Sequence, residues 1–583
     1  MSRFYKDGMF GLIVGDAVGM PVQFEERSEI KADPVTDMLE HLCFDMPKGA
    51  WTDDSSLALA TLYSIKEQGE LDIEDVAKKF AMWLTDGLFT PLGFAYDVGT
   101  GCMNSIYRFI QTMDANNCGG NTEQDNGNGS LMRILPTCIY AYEELTSGNI
   151  TADEAITLVE ASSAITHAHK RAQTACVIYF YIIKEILDCR NKNENIGLYE
   201  LIENAISKTR SYALIHIDTF KEYSKFYRLF ALNAFKELPE DDIYSSGYVL
   251  HSLEAAIWSL INTDNYRDCI LKAVNLGGDT DTIAAIAGGL AGLYYGFDAI
   301  PKDWVDSLMR RKWIEELCDF DCPIVPVEDR IMIDCHSHYI PGIDDGAKDI
   351  EMATAMLNTA RDNGIKQVIC TPHSWAILEH EDTNTVGIFN EFKSEISKSI
   401  PEIPVHLGCE VLFDLDVKKE TIDSVKESYF PAYESGKCVL IELYNDPTED
   451  EVLNIIKYVK ENGYIPVLAH LERYPELFPC DNFYKRIDDA IVKKIIKAGA
   501  LIQINVTSLE TVIDKEWNSI ARFLLFNKYA HFLGTDAHND HRRAPKVSED
   551  LSYIYTMCDR EYAEAVCYKN ALKYLINNNQ ENN

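Results

Sequence analysis

The chain has 583 residues, 46% of them hydrophobic, which is too long for one ordinary core, so two large folded domains are expected. Its formal net charge of −38 supplies no counterion release against phosphate backbones or anionic lipid, which argues against nucleic-acid and membrane partners. Sixteen cysteines without paired spacing, no apolar run of the eighteen or so residues that cross a bilayer, and no charged-then-apolar leader point to a reducing cytoplasm.

In chain order, apolar residues recur at helical spacing from residue 1 to about 316, which predicts an all-α first domain over 1–317. It carries "GLIVGDAVGMPVQFEER" (11–27) and then "GAWTDDSSLALATLYSI" (49–65), where Thr52, Asp53 and Asp54 open an apolar-periodic helix. An N-cap with first-turn acids explains one such site. The pattern returns after "YDVGTG" (96–101), "NGNGSLMRILP" (126–136) and "ITHAH" (165–169), in "LGGDTDTIAAIAGG" (276–289), with Asp279, Asp281 and Thr282. Two acid-and-threonine helix mouths in one helical domain suit oxygen ligation of a hard cation such as Mg²⁺. Gly288, Gly289 and Gly292 would each weaken a helix by about 1 kcal/mol against Ala, so close helix approach is their expected reason.

These segments resemble the ADP-ribosylglycohydrolase family over about residues 3 to 300. The resemblance implies two Mg²⁺ held by Thr52, Asp53, Asp54, Asp279, Asp281 and Thr282, orienting the ribose and diphosphate of an ADP-ribosylated protein or small molecule for attack by water. Where many members have a "VEF" triplet this chain reads "VQF", with Gln23 in place of the acid and Glu25 two residues on. A glutamine can position water but cannot exchange a proton, and the resemblance puts Asp97, in "YDVG", at another acidic position of the family, as the candidate acid or base. Asn128, Gly129, Ser130 and His167 are the expected substrate contacts.

A stretch with two prolines and no period, "CDFDCPIVPVEDR" (318–330), is the expected linker; its Cys318 and Cys322 lack a second pair and are ordinary thiols. From 331 to 583, short apolar runs alternate with amphipathic segments, the signal of βα units. Seven runs occur: "IMIDCH", "QVICTPH", "VHLGCE", "CVLIEL", "IPVLAH", "ALIQIN" and "HFLGTD". Five of them finish on His, Glu or Asp, which a parallel barrel would gather at one mouth. His336 and His338, two apart on a strand, share a face, and Asp536 and His538 repeat that spacing. With Asp345, His373, Glu410, Glu442 and His470, nine groups would meet, and the repulsion among carboxylates calls for cations. Mixed imidazole and carboxylate ligands favour Mn, Fe or Zn over Ca.

These motifs resemble the PHP-family phosphoesterases of the capsule-type protein-tyrosine phosphatase kind, over residues 331 to about 575. The resemblance implies a distorted (β/α)7 barrel, a three-metal cluster on those nine residues, and Arg473 and Arg543 holding phosphate. The expectation is a two-domain metal-dependent hydrolase acting on ADP-ribosylated and phosphotyrosine substrates. The alternative is a non-catalytic ADP-ribose-binding module joined to a phosphatase of small phosphomonoesters. The polar end "NNNQENN" (577–583) is expected to fray.

Overall fold

The computed structural model describes residues 2–40, 43–379, 384–481, 486–510 and 515–576, so the polar end 577–583 lies outside the described residues. The chain divides into two compact units, Met1–Ile324 and Val325–Asn583. No helix among the described residues is long and apolar enough to cross a membrane.

The first unit is helical, with isolated β-bridges and no strand among its described residues. Five of its helices position the site: α1 (Ser2–Gly19), α2 (Asp53–Gln68), α3 (Thr100–Thr112), α4 (Lys170–Asn191) and α5 (Thr280–Tyr295). Helix α2 starts at Thr52, whose side chain accepts from Asp54 N, and stops at Gly69, left-handed at φ 75°. Helix α5 is entered through Gly277 and Gly278, at φ 71° and 74°, where a side chain would be strained.

Glycine also sets how closely α1 and α5 pack. A Cβ added at Gly15 would lie 2.2 Å from Ala284 O, one at Gly11 2.2 Å from Gly288 O, and one at Gly19 2.5 Å from Asp281 Cα. The return contact is Gly292, whose Cβ would meet Asp7 O at 2.3 Å. The two backbones therefore touch along a stripe of glycines four residues apart, and α1 presents Asp16 to the mouths of α2 and α5. Gly289 serves a different neighbour, the Tyr179 hydroxyl on α4, 2.6 Å from its added Cβ.

Among its described residues the second unit contains eight parallel strands: β1 (Met332–Ser337), β2 (Ile365–Cys370), β3 (Val405–Leu407), β4 (Glu410–Phe413), β5 (Cys438–Leu443), β6 (Ile465–Leu468), β7 (Leu501–Asn505) and β8 (Phe532–Gly534). They form two sheets, β1-β2-β3 and β8-β7-β6-β5-β4, rather than one continuous seven-stranded ladder. Single bridges, Ser337 with Ala537 and His373 with Glu410, link the ends of the two sheets. The expected third run, "VHLGCE", splits at Gly408 and Cys409 into β3 and β4. Pro372 has no N–H to donate, which ends the β2 ladder just before the His373 bridge. A short antiparallel pair, Cys480–Asp481 with Arg486–Ile487, completes the strands among the described residues.

Candidate functional sites

In the first unit the mouths of α2 and α5 close around Asp16. This carboxylate is fully buried and accepts from the backbone N–H and the hydroxyl of both Thr52 and Ser55. Thr52 Oγ1 lies 3.1 Å from Asp16 Oδ1 and 3.0 Å from Asp54 Oδ2, so one hydroxyl proton is divided between two acids. Thr282 Oγ1 reaches Asp54 from the α5 side at 3.4 Å, Asn128 Nδ2 donates to Asp279 at 2.6 Å, and Gly99 N donates to Asp53 at 3.4 Å. Oδ1 of Asp54 and both oxygens of Asp281 are buried without a donor.

Burial pushes the Asp16 carboxyl up to about 7. It raises Asp97 and Asp279 too, and for Asp53, Asp54 and Asp281 mutual repulsion adds to the burial. No Lys, Arg or His forms an ion pair with any of these six acids among the described residues. Buried carboxylates without partners must hold protons or cations, and an all-oxygen donor set suits Mg²⁺.

Of the residues singled out in sequence, Gln23 is buried with its side chain beside Asp97, whose carboxyl it helps to hold down against burial, and Asp97 stands on left-handed backbone at φ 51°. Glu25 is half-buried, and its carbonyl accepts from Gly278 N at 2.9 Å. Gly129 lies beside His167, whose Cε1 would be 2.8 Å from an added Cβ. Ser130 turns away from the acids to Ser163 Oγ (2.9 Å) and Cys176 Sγ (3.7 Å). Sequence reading missed Asp16, although "GDAVG" was in view. Its partners lie 36 and 39 residues further along the chain.

In the second unit all nine anticipated residues meet. Possible ligand atoms within 4.8 Å of one another form four overlapping groups: His338, Asp345, His373 and His538; His336, His338 and Asp536; His336, Glu410 and His470; His373, Glu410 and Glu442. Glu410, at the start of β4, is central: His336 Nε2 lies 3.1 Å, His373 Nδ1 2.9 Å and His470 Nε2 2.9 Å from its oxygens. Asp345 is exposed at the rim, 3.4 Å from His538 Nε2 and 3.6 Å from His373 Nε2. Arg473 and Arg543 both engage Asp536, at 2.9 and 2.7 Å. His470 and Asp536 have φ of 30° and 53°, local strain concentrated at the cluster.

Burial alone would raise Glu410 and Asp536, but facing imidazoles, with Arg473 beside Asp536, hold both well below the carboxylate range. Burial likewise opposes charge on His336 and His338, yet the carboxylates win and raise both. His538 goes the other way, down to about 3, by burial and the neighbouring His338.

Behind these groups lies a polar layer that sequence reading missed. Asp344 Oδ2 takes His338 Nδ1 at 2.7 Å and the His373 N–H at 3.2 Å, leaving His338 Nε2 for the mouth. Gln503 Oε1 accepts from His470 N at 2.8 Å and faces His336 Nδ1 at 3.2 Å. Its amide donates to Asn505 at 2.9 Å, which in turn donates to Asp536 at 3.0 Å. The signal for Gln503 was its place on β7, whose neighbours also end at the mouth.

Residues 2–331 match the family model described as ADP-ribosylglycohydrolase, and residues 332–576 match that described as capsular polysaccharide synthesis, CpsB/CapC. An ADP-ribosylarginine hydrolase of Serratia proteamaculans (strain 568) is 31% identical over 327 residues, 56% of this chain and 80% of that protein. Another, of Pseudomonas putida (strain GB-1), is 30% identical over 315 residues, 54% of this chain and 76% of that protein. A tyrosine-protein phosphatase CpsB of Streptococcus agalactiae serotype III (strain NEM316) is 27% identical over 252 residues, 42% of this chain and 99% of that protein. Both halves are thus homologous to hydrolases.

Proposed function

The chain belongs to the ADP-ribosylglycohydrolase family, and from that premise we propose that it is a bifunctional hydrolase. Residues 1–317 release ADP-ribose from modified arginine, residues 331–583 dephosphorylate tyrosine, and 318–330 link them. The relatives' activities support the two substrate classes. The observation that carries the reading is Asp281, with both oxygens buried and undonated among five further acids that have no basic partner among the described residues.

Thr52, Asp53, Asp54, Asp279, Asp281 and Thr282, with Asp16 behind them, would hold Mg²⁺ in the first unit, and the nine His, Asp and Glu residues would hold up to three Mn²⁺, Fe or Zn²⁺ ions in the second. Bound there, divalent cations supply positive charge for the diphosphate and phosphoryl oxygens and make water acidic enough to attack at neutral pH. The chain's own groups do the rest. Burial keeps the Asp97 carboxyl basic enough to take a proton from water as its oxygen bonds to the anomeric carbon. The C–N bond breaks and the guanidine leaves. Gln23 orients Asp97 without exchanging the proton. In the second unit Arg473 and Arg543 bind phosphoryl oxygens bidentately while the oxygen of water bonds to phosphorus, the P–O bond to the tyrosyl oxygen breaks, and the tyrosyl oxygen takes the proton that water gives up.

One preparation tests both halves. It should release ADP-ribose from ADP-ribosylarginine protein with Mg²⁺ and phosphate from phosphotyrosine peptides with Mn²⁺. Failure of either release removes that activity. Gln23 favours a second reading of the first unit, as an ADP-ribose-binding module. Tight ADP-ribose binding without turnover, with turnover gained in Gln23→Glu, would replace the hydrolase by that module. Preference for a small phosphomonoester over phosphotyrosine peptides would correspondingly change the second substrate.

A further inference from the structure

Arg133 is buried with no exposure, pairs with no carboxylate among the described residues, and leaves Nε and Nη1 without hydrogen-bond partners. Its guanidinium sits 4.6 Å over the Phe80 ring. Its one polar outlet is Nη2, which donates to Ser162 O at 3.1 Å and to Thr166 Oγ1 at 2.8 Å. A solitary buried cation is expensive to keep, so the group it serves is informative.

Thr166 Oγ1 accepts from Arg133, keeps one proton to give, and stands 3.0 Å from His167 Nδ1. Given to Nδ1, that proton leaves the ring's own proton on Nε2. Ser105 Oγ donates to Thr166 O at 2.9 Å and Ser163 Oγ to His167 O at 3.1 Å, which fixes the backbone on both sides of the pair. Burial and the charge of Arg133 hold the ring neutral, down to about 4.

Nε2 faces a slot walled by glycine. An added Cβ would lie 3.1 Å from it at Gly101 and 3.2 Å at Gly127, so either wall would close with any larger residue. Both walls lead to the acidic cluster: Gly99, just before α3, donates to Asp53, and Asn128 donates to Asp279. An imidazolium at this spot would be drawn to those acids, whereas a neutral N–H remains available to a ligand.

We propose that Arg133 and Thr166 are positioning residues that lock His167 as its Nε2–H tautomer, a neutral donor to an oxygen acceptor of the ADP-ribosyl group beside the carboxylates. This rests on the reading of the first unit as an ADP-ribosyl hydrolase. The test is ring-¹⁵N histidine labelling of the full chain, with the His167 signals assigned by their loss in His167→Gln. The wild type should show a pyridine-like Nδ1 and a pyrrole-like Nε2, unchanged from about pH 6 to 9. Thr166→Val should mix the tautomers and lower kcat for ADP-ribose release by about 10²-fold with a smaller change in KM, and Thr166→Ser should restore both. An Nδ1–H ring in the wild type overturns the proposal. So does Thr166→Val with unaltered ring signals and kcat. If the wild type has the Nε2–H signature but releases no ADP-ribose, the hydrolase reading fails and the tautomer lock stands. ADP-ribose affinity by calorimetry then replaces kcat as the readout, and a Thr166→Val affinity equal to wild type would overturn the donor role.

Discussion

The two clusters solve the same electrostatic problem with different inventories. The helical unit gathers buried Asp16, Asp53, Asp54, Asp279 and Asp281 and half-buried Asp97 with no basic side chain paired to them among the described residues. The α/β unit interleaves Asp345, Glu410, Glu442 and Asp536 with five histidines and two arginines. The shifts follow from that difference: every acid of the first set is pushed up, whereas Glu410 and Asp536 are held down as His336 and His338 rise. A mixed cluster can balance its own charge when metal is absent. An all-acid cluster has to take up protons.

The sharpest way to break this comparison is a crossed pair of substitutions. Asp281→Asn should abolish ADP-ribose release and leave phosphotyrosine hydrolysis within about twofold, because the two clusters belong to separate compact units and share no residue. His336→Ala should do the reverse, and steady-state assays of both activities on both variants would expose any shared site. Next in size is Gly15→Ala, whose Cβ would sit 2.2 Å from Ala284 O. It should separate α1 from α5 and destabilise the first unit by about 1–3 kcal/mol in urea unfolding, with phosphatase activity retained. Gln503→Leu should weaken Mn²⁺ binding about 10–100-fold by calorimetry, since it removes the acceptor facing His336 and His470.

The smallest effect is in pH. Folding raises Asp16 from 3.8 to about 7, so its contribution to stability is fully present below about 4 and is lost as pH rises through about 7. Chelator-treated protein should therefore show a first-unit melting transition that falls between pH 5 and 8, and Mg²⁺ should flatten it. In the second unit the lowered carboxylates lose their contribution only as pH falls through their depressed values, and the raised histidines only as pH climbs through theirs. Asp334, raised by burial to about 6, and Asp550, to about 8, give that unit a fall of their own outside the cluster. A first-unit transition that stays level from pH 5 to 8 without metal, followed by scanning calorimetry, would erase the distinction.

Local signals explain what the sequence disclosed. Thr52 to Asp54 and Asp279 to Thr282 are helix mouths recognisable within a few residues, and His336 with His338 or Asp536 with His538 declare a shared face by their spacing. Asp16 gave no such sign, because a lone acid inside an apolar helix acquires its partners only when the α1 glycines bring α2 and α5 against it. Asp344 and Gln503 were hidden for the same reason: each acts on an imidazole supplied by another strand or loop. Helical content in the first unit was legible from period alone. The division of the parallel strands into two sheets was not, because apolar runs do not reveal where Pro372 interrupts a ladder or where Gly408 and Cys409 split a run in two.

The most direct measurement of the central claim is Mg²⁺ titration of metal-stripped protein near pH 6.5, by calorimetry in buffers of different ionisation enthalpy. Acids held protonated by burial must give up those protons when cations arrive. Binding accompanied by proton release, with both lost in Asp281→Asn, is the predicted result. Mg²⁺ binding that releases no protons, or that survives Asp281→Asn unchanged, would contradict it.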